Sequence, residues 1–141
     1  MTPRKLFFDA NILLDMIDTD RGNVTSARQL VRTALMQEIE LYTSCDILSN
    51  IYYVARRKLD KATLIGEMLR LLEIFEIIEI DKSMAVRALR DNQADPVLDF
   101  EDLLQRSSAQ RVQCDLIITN DKRFVAGTIP HVSLKRALEI L

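Results

Sequence analysis

Histidine is nearly missing from this chain of 141 residues: His131 is the only one, so a catalytic relay built on a histidine partner has no material. Cysteine is almost as scarce. Cys45 and Cys114 are far apart and show none of the paired spacings that hold zinc. Without a recognisable leader, two such thiols read as small buried apolar residues rather than as a disulfide. Long apolar runs are absent too. The cluster over residues 74–80 is broken by Glu76 and Glu79, so nothing approaches the ~20 residues that cross a bilayer, and no membrane association is expected. The opening Met1-Thr2-Pro3-Arg4-Lys5 leads into an apolar run that Asp9 interrupts almost at once, with no small-residue cleavage pattern after it. That argues against a secretory leader and for a cytoplasmic protein. There are no repeats and no low-complexity segments. A net charge of −2 argues against a broad basic surface for nucleic acid. The short clusters Arg56-Arg57-Lys58, Lys122-Arg123 and Lys135-Arg136 read more readily as solvated helix faces than as phosphate contacts. If the chain is an enzyme, carboxylates do the work.

What is present is core material, 48% hydrophobic residues against 28% charged, at the length of one ordinary domain spanning residues 1–141. Apolar residues recur at helical spacing over residues 24–37, 46–58, 61–74 and 82–91, and a further helix runs from about residue 97 or 99 to 113. Asp60 caps the third of these, and Ser133 caps a terminal helix over 134–141. Between them, residues 6–8, 40–43, 75–80 and 115–119 read as strands, with a last short edge strand at His131-Val132. Residues 92–96 read as a loop, and 125–128 as a turn. Strands alternating with helices imply βαβ crossovers. The expected fold is therefore a three-layer α/β/α sandwich around a mainly parallel sheet of four to five strands.

In a parallel sheet every strand points its carboxyl end at one edge, where residues remote in sequence gather. Asp9 ends the first strand, where the chain turns. Asp121 follows the strand over 115–119, and Asp99 and Asp102 open the helix leading into it. The spacing of three puts Asp99 and Asp102 on one helix face, with Glu101 pointing elsewhere. Each acid also has a plain structural reading: Asp9 and Asp99 as helix caps, Asp102 as a first-turn acid, Asp121 as a turn residue. Together, without a cation, such acids repel one another and raise each other's pKa. A hard divalent ion resolves the repulsion. Magnesium or manganese takes oxygen ligands, makes a bound water a better nucleophile and stabilises charge on a phosphoryl group, which suits phosphodiester hydrolysis.

Three segments carry a resemblance: Phe8-Asp9-Ala10-Asn11-Ile12-Leu13-Leu14, Asp99-Phe100-Glu101-Asp102-Leu103-Leu104-Gln105 and Ile118-Thr119-Asn120-Asp121-Lys122-Arg123-Phe124. In that order and spacing the chain resembles the PIN-domain family, which includes the VapC toxins of bacterial toxin–antitoxin pairs. The resemblance runs from about Lys5 to the C-terminus. It implies a magnesium- or manganese-dependent ribonuclease, often dimeric. Asp9, Asp102 and Asp121 match the family's acidic positions, Asp99 is an additional acid, and Asn11 and Thr119 are supporting polar groups. One position departs from the pattern. Where the family commonly carries a Glu in the helix after the second strand, this chain has Asn50, which lacks charge and cannot act as a general base. Asp46, one turn earlier on the same face, either replaces it in part or merely caps the helix.

The reading is an endonuclease that hydrolyses RNA, with Asp9, Asp99, Asp102 and Asp121 holding the metal and Asn50 as a supporting or weak ligand. The rival is a catalytically weakened PIN scaffold that binds RNA or a protein partner. A third reading, a phosphatase with Asp9 as nucleophile, lacks its usual second acid because position 11 is Asn. By resemblance the partners are an RNA substrate, an antitoxin protein and a second copy of the chain, the last through the apolar helices over 46–58 and 61–74.

Overall fold

The computed structural model describes residues 3–125 and 127–141. Strand β1 (Lys5–Phe8) is the middle of the sheet. It pairs on one side with β2 (Glu40–Ser44), Phe7 opposite Tyr42, and on the other with β4 (Leu116–Ile118), Phe8 opposite Ile118. Beyond them lie β3 (Glu76–Ile78) and β5 (His131–Val132), giving the order β3-β2-β1-β4-β5 with every pairing parallel. Leu6, Phe7 and Phe8 are completely buried, as a central strand covered on both faces requires.

The helices α1 (Ala10–Ile17), α2 (Val24–Met36), α3 (Asp46–Ala55) and α4 (Lys61–Ile74) follow β1 and β2. After β3 come α5 (Lys82–Ala94) and α6 (Phe100–Arg111), and α7 (Leu134–Ile140) closes the chain. Helix α1 packs on α2 and α3, and α2 on α7; α5 packs on α6, which lies against β2. The expected α/β/α sandwich is thus present, with the fifth strand included. Asp60 caps α4 through the Thr63 N–H at 2.7 Å, and Ser133 caps α7 through the Arg136 N–H at 3.1 Å.

Two local expectations are corrected. The chain does not simply turn at Asp9; it enters α1, whose residues are buried except for Asn11, and the eight-residue helix is short enough to pass as a continuation of the apolar run of β1. The expected loop over 92–96 begins later, because α5 continues through Ala94. The Asn92 side-chain amide then donates to the Leu98 carbonyl at 2.6 Å and pins the connection to α6. The turn expected over 125–128 includes Ala126, and the leader reading includes Met1 and Thr2, all three outside the described residues. Cys114 is buried, which pushes its thiol up to about 12, and neither cysteine is bridged. No helix among the described residues is long and apolar enough to cross a membrane.

Candidate active site

The strand order reverses at β1: β2 and β3 lie on one flank, β4 and β5 on the other. The crevice at the carboxyl ends of β1 and β4 is therefore the switch point where open parallel sheets bind ligands. Asp9 stands there. Its backbone N–H donates to the Ile118 carbonyl at 3.2 Å, its Oδ1 accepts the Ile12 N–H at 3.0 Å and so caps α1, and its Oδ2 accepts the Thr119 hydroxyl. Thr119 Oγ1 in turn accepts the Asp121 N–H at 3.1 Å. Asp121 Oδ1 accepts the Arg123 N–H at 2.8 Å, which fixes the turn after β4. Asp9 and Thr119 are both buried, 4% and 2% exposed.

The second contribution comes from the start of α6. Asp99 caps it by accepting the Asp102 N–H at 3.0 Å, so the capping reading of Asp99 holds, and the capping geometry presents Asp102 one turn in. Asp99, Glu101, Asp102 and Asp121 line one open cavity with Asn11 and Arg123. Glu101 therefore does not point elsewhere. In the first turn of a helix, neighbours at i and i+1 can both reach a ligand lying off the helix end, which a face argument overlooks.

Burial pushes the Asp102 carboxyl up to about 7, aided in decreasing order by the charges of Asp99, Asp121, Asp9 and Glu101. Burial also raises the Asp9 carboxyl, against the lowering effect of the Thr119 and Ile12 hydrogen bonds and with a smaller raising effect from the Asp121 charge. Glu101 is raised by desolvation first, then by Asp99 and Asp46. These couplings tie Asp9, beneath the lining, to the acids above it.

Asn50 sits half-buried in α3, makes no side-chain hydrogen bond among the described residues and does not line the cavity. Asp46 is the first residue of α3 rather than its cap, and its Oδ1 accepts the Ser44 hydroxyl at 2.5 Å. Its charge reaches Glu101, which places it beside the acidic cluster.

Whether these residues suit a divalent cation turns on donors and spacing. The donors are all oxygen, and their mutual repulsion is of the kind a hard cation relieves. Among the described residues, no group of three or more His, Cys, Asp or Glu side chains is placed to hold a metal ion. The donor chemistry suits magnesium, which takes few protein carboxylates and keeps several waters, while the side chains as they stand do not assemble a ligand group.

Comparison with known proteins agrees with this fold. The PIN domain family model matches residues 6–127. Ribonuclease VapC1 of Aquifex aeolicus is 33% identical over 140 residues, covering 99% of this chain and 96% of that protein. Among solved structures, VapC20 of Mycobacterium tuberculosis, a sarcin–ricin loop cleaving toxin, matches with a TM-score of 0.70 at 11% identity, over 84% of this chain and 92% of that one. VapBC2 of Rickettsia felis, bound to a DNA fragment from its promoter, matches with a TM-score of 0.71 at 15% identity, over 92% and 98%. A toxin–antitoxin complex from Klebsiella pneumoniae matches with a TM-score of 0.66 at 22% identity, over 92% and 97%. At those identities the solved structures speak to the fold alone, whereas the family model and the VapC1 relative each span most of the sequence: the chain belongs to the PIN-domain family.

Proposed function

We propose that this chain is a magnesium- or manganese-dependent endoribonuclease that acts in the cytoplasm as the toxin of a toxin–antitoxin pair. The observation that carries the reading is the gathering of Asp99, Glu101, Asp102 and Asp121 around one cavity, electrostatically coupled to buried Asp9. Asp9, Asp99, Asp102 and Asp121 would hold the cation. When bound, it supplies charge stabilisation at the phosphoryl oxygens and acidifies a coordinated water.

The chain's own groups do the rest. Thr119 fixes the rotamer of Asp9, and the Ile12 N–H holds the other oxygen, while each oxygen keeps a further lone pair for a ligand. Asp102, with its acidity near neutrality, exchanges a proton at its carboxyl oxygen as the site fills and empties. Arg123 is the cation in the cavity lining, suited to a phosphate oxygen. Asn11 offers an exposed amide at the same rim. Asn50 is a supporting residue at most.

A protein partner is supported by the family's toxin–antitoxin relatives, and self-association by the exposed apolar side chains of α3 and α4, among them Tyr53, Leu69 and Leu72. Light scattering that shows a monomer at working concentration would remove the second.

Cleavage of a mixed RNA panel with manganese, with magnesium and with chelator, comparing parent with Asp9→Asn, tests the reading. Metal-dependent cutting that the variant loses supports it. Cutting that survives unchanged in the variant overturns the site. No cutting and no manganese binding by the parent leaves the binding scaffold, which the absence of a charge at Asn50 favours.

A further inference from the structure

The outer face of α5 carries Lys82, Arg87 and Arg90, all exposed, and none of them makes an ion pair among the described residues. The reason is visible in the packing. The acids that bracket this helix are taken by the neighbouring helix: Asp91 by Arg106 at 3.1 Å and Asp81 by Arg111 at 2.7 Å. These two ties also show that α5 and α6 run antiparallel, so the carboxyl end of α5 lies beside the start of α6, where Asp99 and Asp102 stand. Asp95, the C-cap residue of α5, accepts the Val97 N–H on its Oδ1 at 3.3 Å.

The surface is grooved as well as charged. One shallow groove of about 650 Å³ is lined by Lys82, Arg87 and Arg90 with Ser83, Val86 and the Arg106-paired Asp91; a second of about 660 Å³ shares Val86 and Arg90 with it and includes Pro96. The next residues, Val97 and Leu98, line the acidic cavity itself. Two grooves that share Val86 and Arg90 thus follow α5 to Pro96, the residue before the cavity lining begins, with the cations on the part nearer the amino end of α5. Exposed Val86, Leu89 and Val97 alternate with the cations and offer apolar surface to bases, while the cations meet phosphates.

We propose that the Lys82–Arg87–Arg90 face of α5 is the track on which the substrate RNA strand lies as it enters the acidic cavity. This rests on the ribonuclease reading of that cavity. It explains how a chain of net charge −2 attracts a polyanion to an acidic site: the binding charge is concentrated on one helix face beside it.

The test is binding of a fluorescein-labelled mixed-sequence 20-nucleotide single-stranded RNA in the presence of manganese, by anisotropy over a salt series. The proteins compared are Asp9→Asn, the same chain with Lys82→Gln, Arg87→Gln and Arg90→Gln added, and a control with Arg32→Gln, Arg70→Gln and Lys135→Gln instead. Removing three phosphate contacts lowers the slope of log affinity against log salt by about 2 and weakens binding about tenfold at 0.1 M salt. The control keeps the parent slope. An unchanged slope in the α5 triple variant, while the parent chain cuts RNA, overturns the track and leaves the nuclease reading standing. Absence of RNA binding by every protein, together with no metal-dependent cutting by the parent chain, overturns both; absence of binding while the parent chain cuts RNA overturns the track alone. Loss of a dimer in the α5 variant with unchanged RNA binding reassigns the face to self-association and overturns the track.

Discussion

Thr119 donates its hydroxyl to Asp9 Oδ2 and accepts the Asp121 N–H at 3.1 Å on the same oxygen, so one side chain couples two acids 112 positions apart in the sequence. The hydroxyl serves as a donor to one and an acceptor for the other, a division only Ser or Thr can make here.

Thr119→Val keeps the shape and removes both bonds. Leaving a buried carboxylate oxygen without its donor costs about 1–3 kcal/mol, and the Asp9 carboxyl rises further without the lowering effect of the hydroxyl. Urea denaturation and a manganese titration of the variant should show lower stability and weaker binding, with Thr119→Ser restoring most of both.

The metal-free protein should gain stability as pH falls from 8 to 6. The Asp102 carboxyl titrates at about 7 when folded and in the ordinary range when unfolded. The folded state therefore holds more protons between those values. The stabilisation is complete at the acid end and is lost as pH rises through 7. Because the group is half-exposed, solvent screening reduces the gain to about 0.5–1 kcal/mol. That corresponds to about 2–3 °C in Tm for a chain of this size. Calorimetry in chelator checks it, and Asp102→Asn should flatten the profile.

Glu101 and Asn50 should separate in the direction opposite to the family pattern. Glu101 lines the cavity and Asn50 does not. Removing one nearby charge by Glu101→Gln weakens manganese binding about three- to tenfold, whereas Asn50→Ala leaves it within about twofold. Calorimetric titration of both variants distinguishes them.

An acid away from the site provides the contrast. Asp115 Oδ2 accepts the Arg4 and Lys5 N–H groups at 2.8 and 3.0 Å and holds the start of β1 to the approach of β4. Asp115→Ala should lower stability by about 1 kcal/mol and leave manganese affinity unchanged.

Much of this arrangement was legible in the residues. The bounds of α4 follow directly from its apolar spacing and the Asp60 cap, and the sheet edge gathers Asp9 and Asp121 because parallel strands permit no other arrangement. Helix α1 was hidden because it has only eight residues, directly after β1, and only Asn11 and Asp15 break its apolar run. Glu101 was misplaced because face arguments fail at a helix end. The length of α5 was hidden by Asn92 and Gln93, which read as loop residues until the Asn92 bond to Leu98 is seen. Family resemblance pointed to position 50 in α3; the cavity geometry shifts attention to Glu101 instead.

The central claim is that Asp9, Asp99, Asp102 and Asp121 form one metal-holding site, and a manganese titration followed by electron paramagnetic resonance reads it most directly. The account predicts that the free-ion signal is quenched stoichiometrically by the parent protein at pH 8, and that Asp102→Asn weakens this at least tenfold. Quenching equal in parent and variant, or none in the parent, would contradict it.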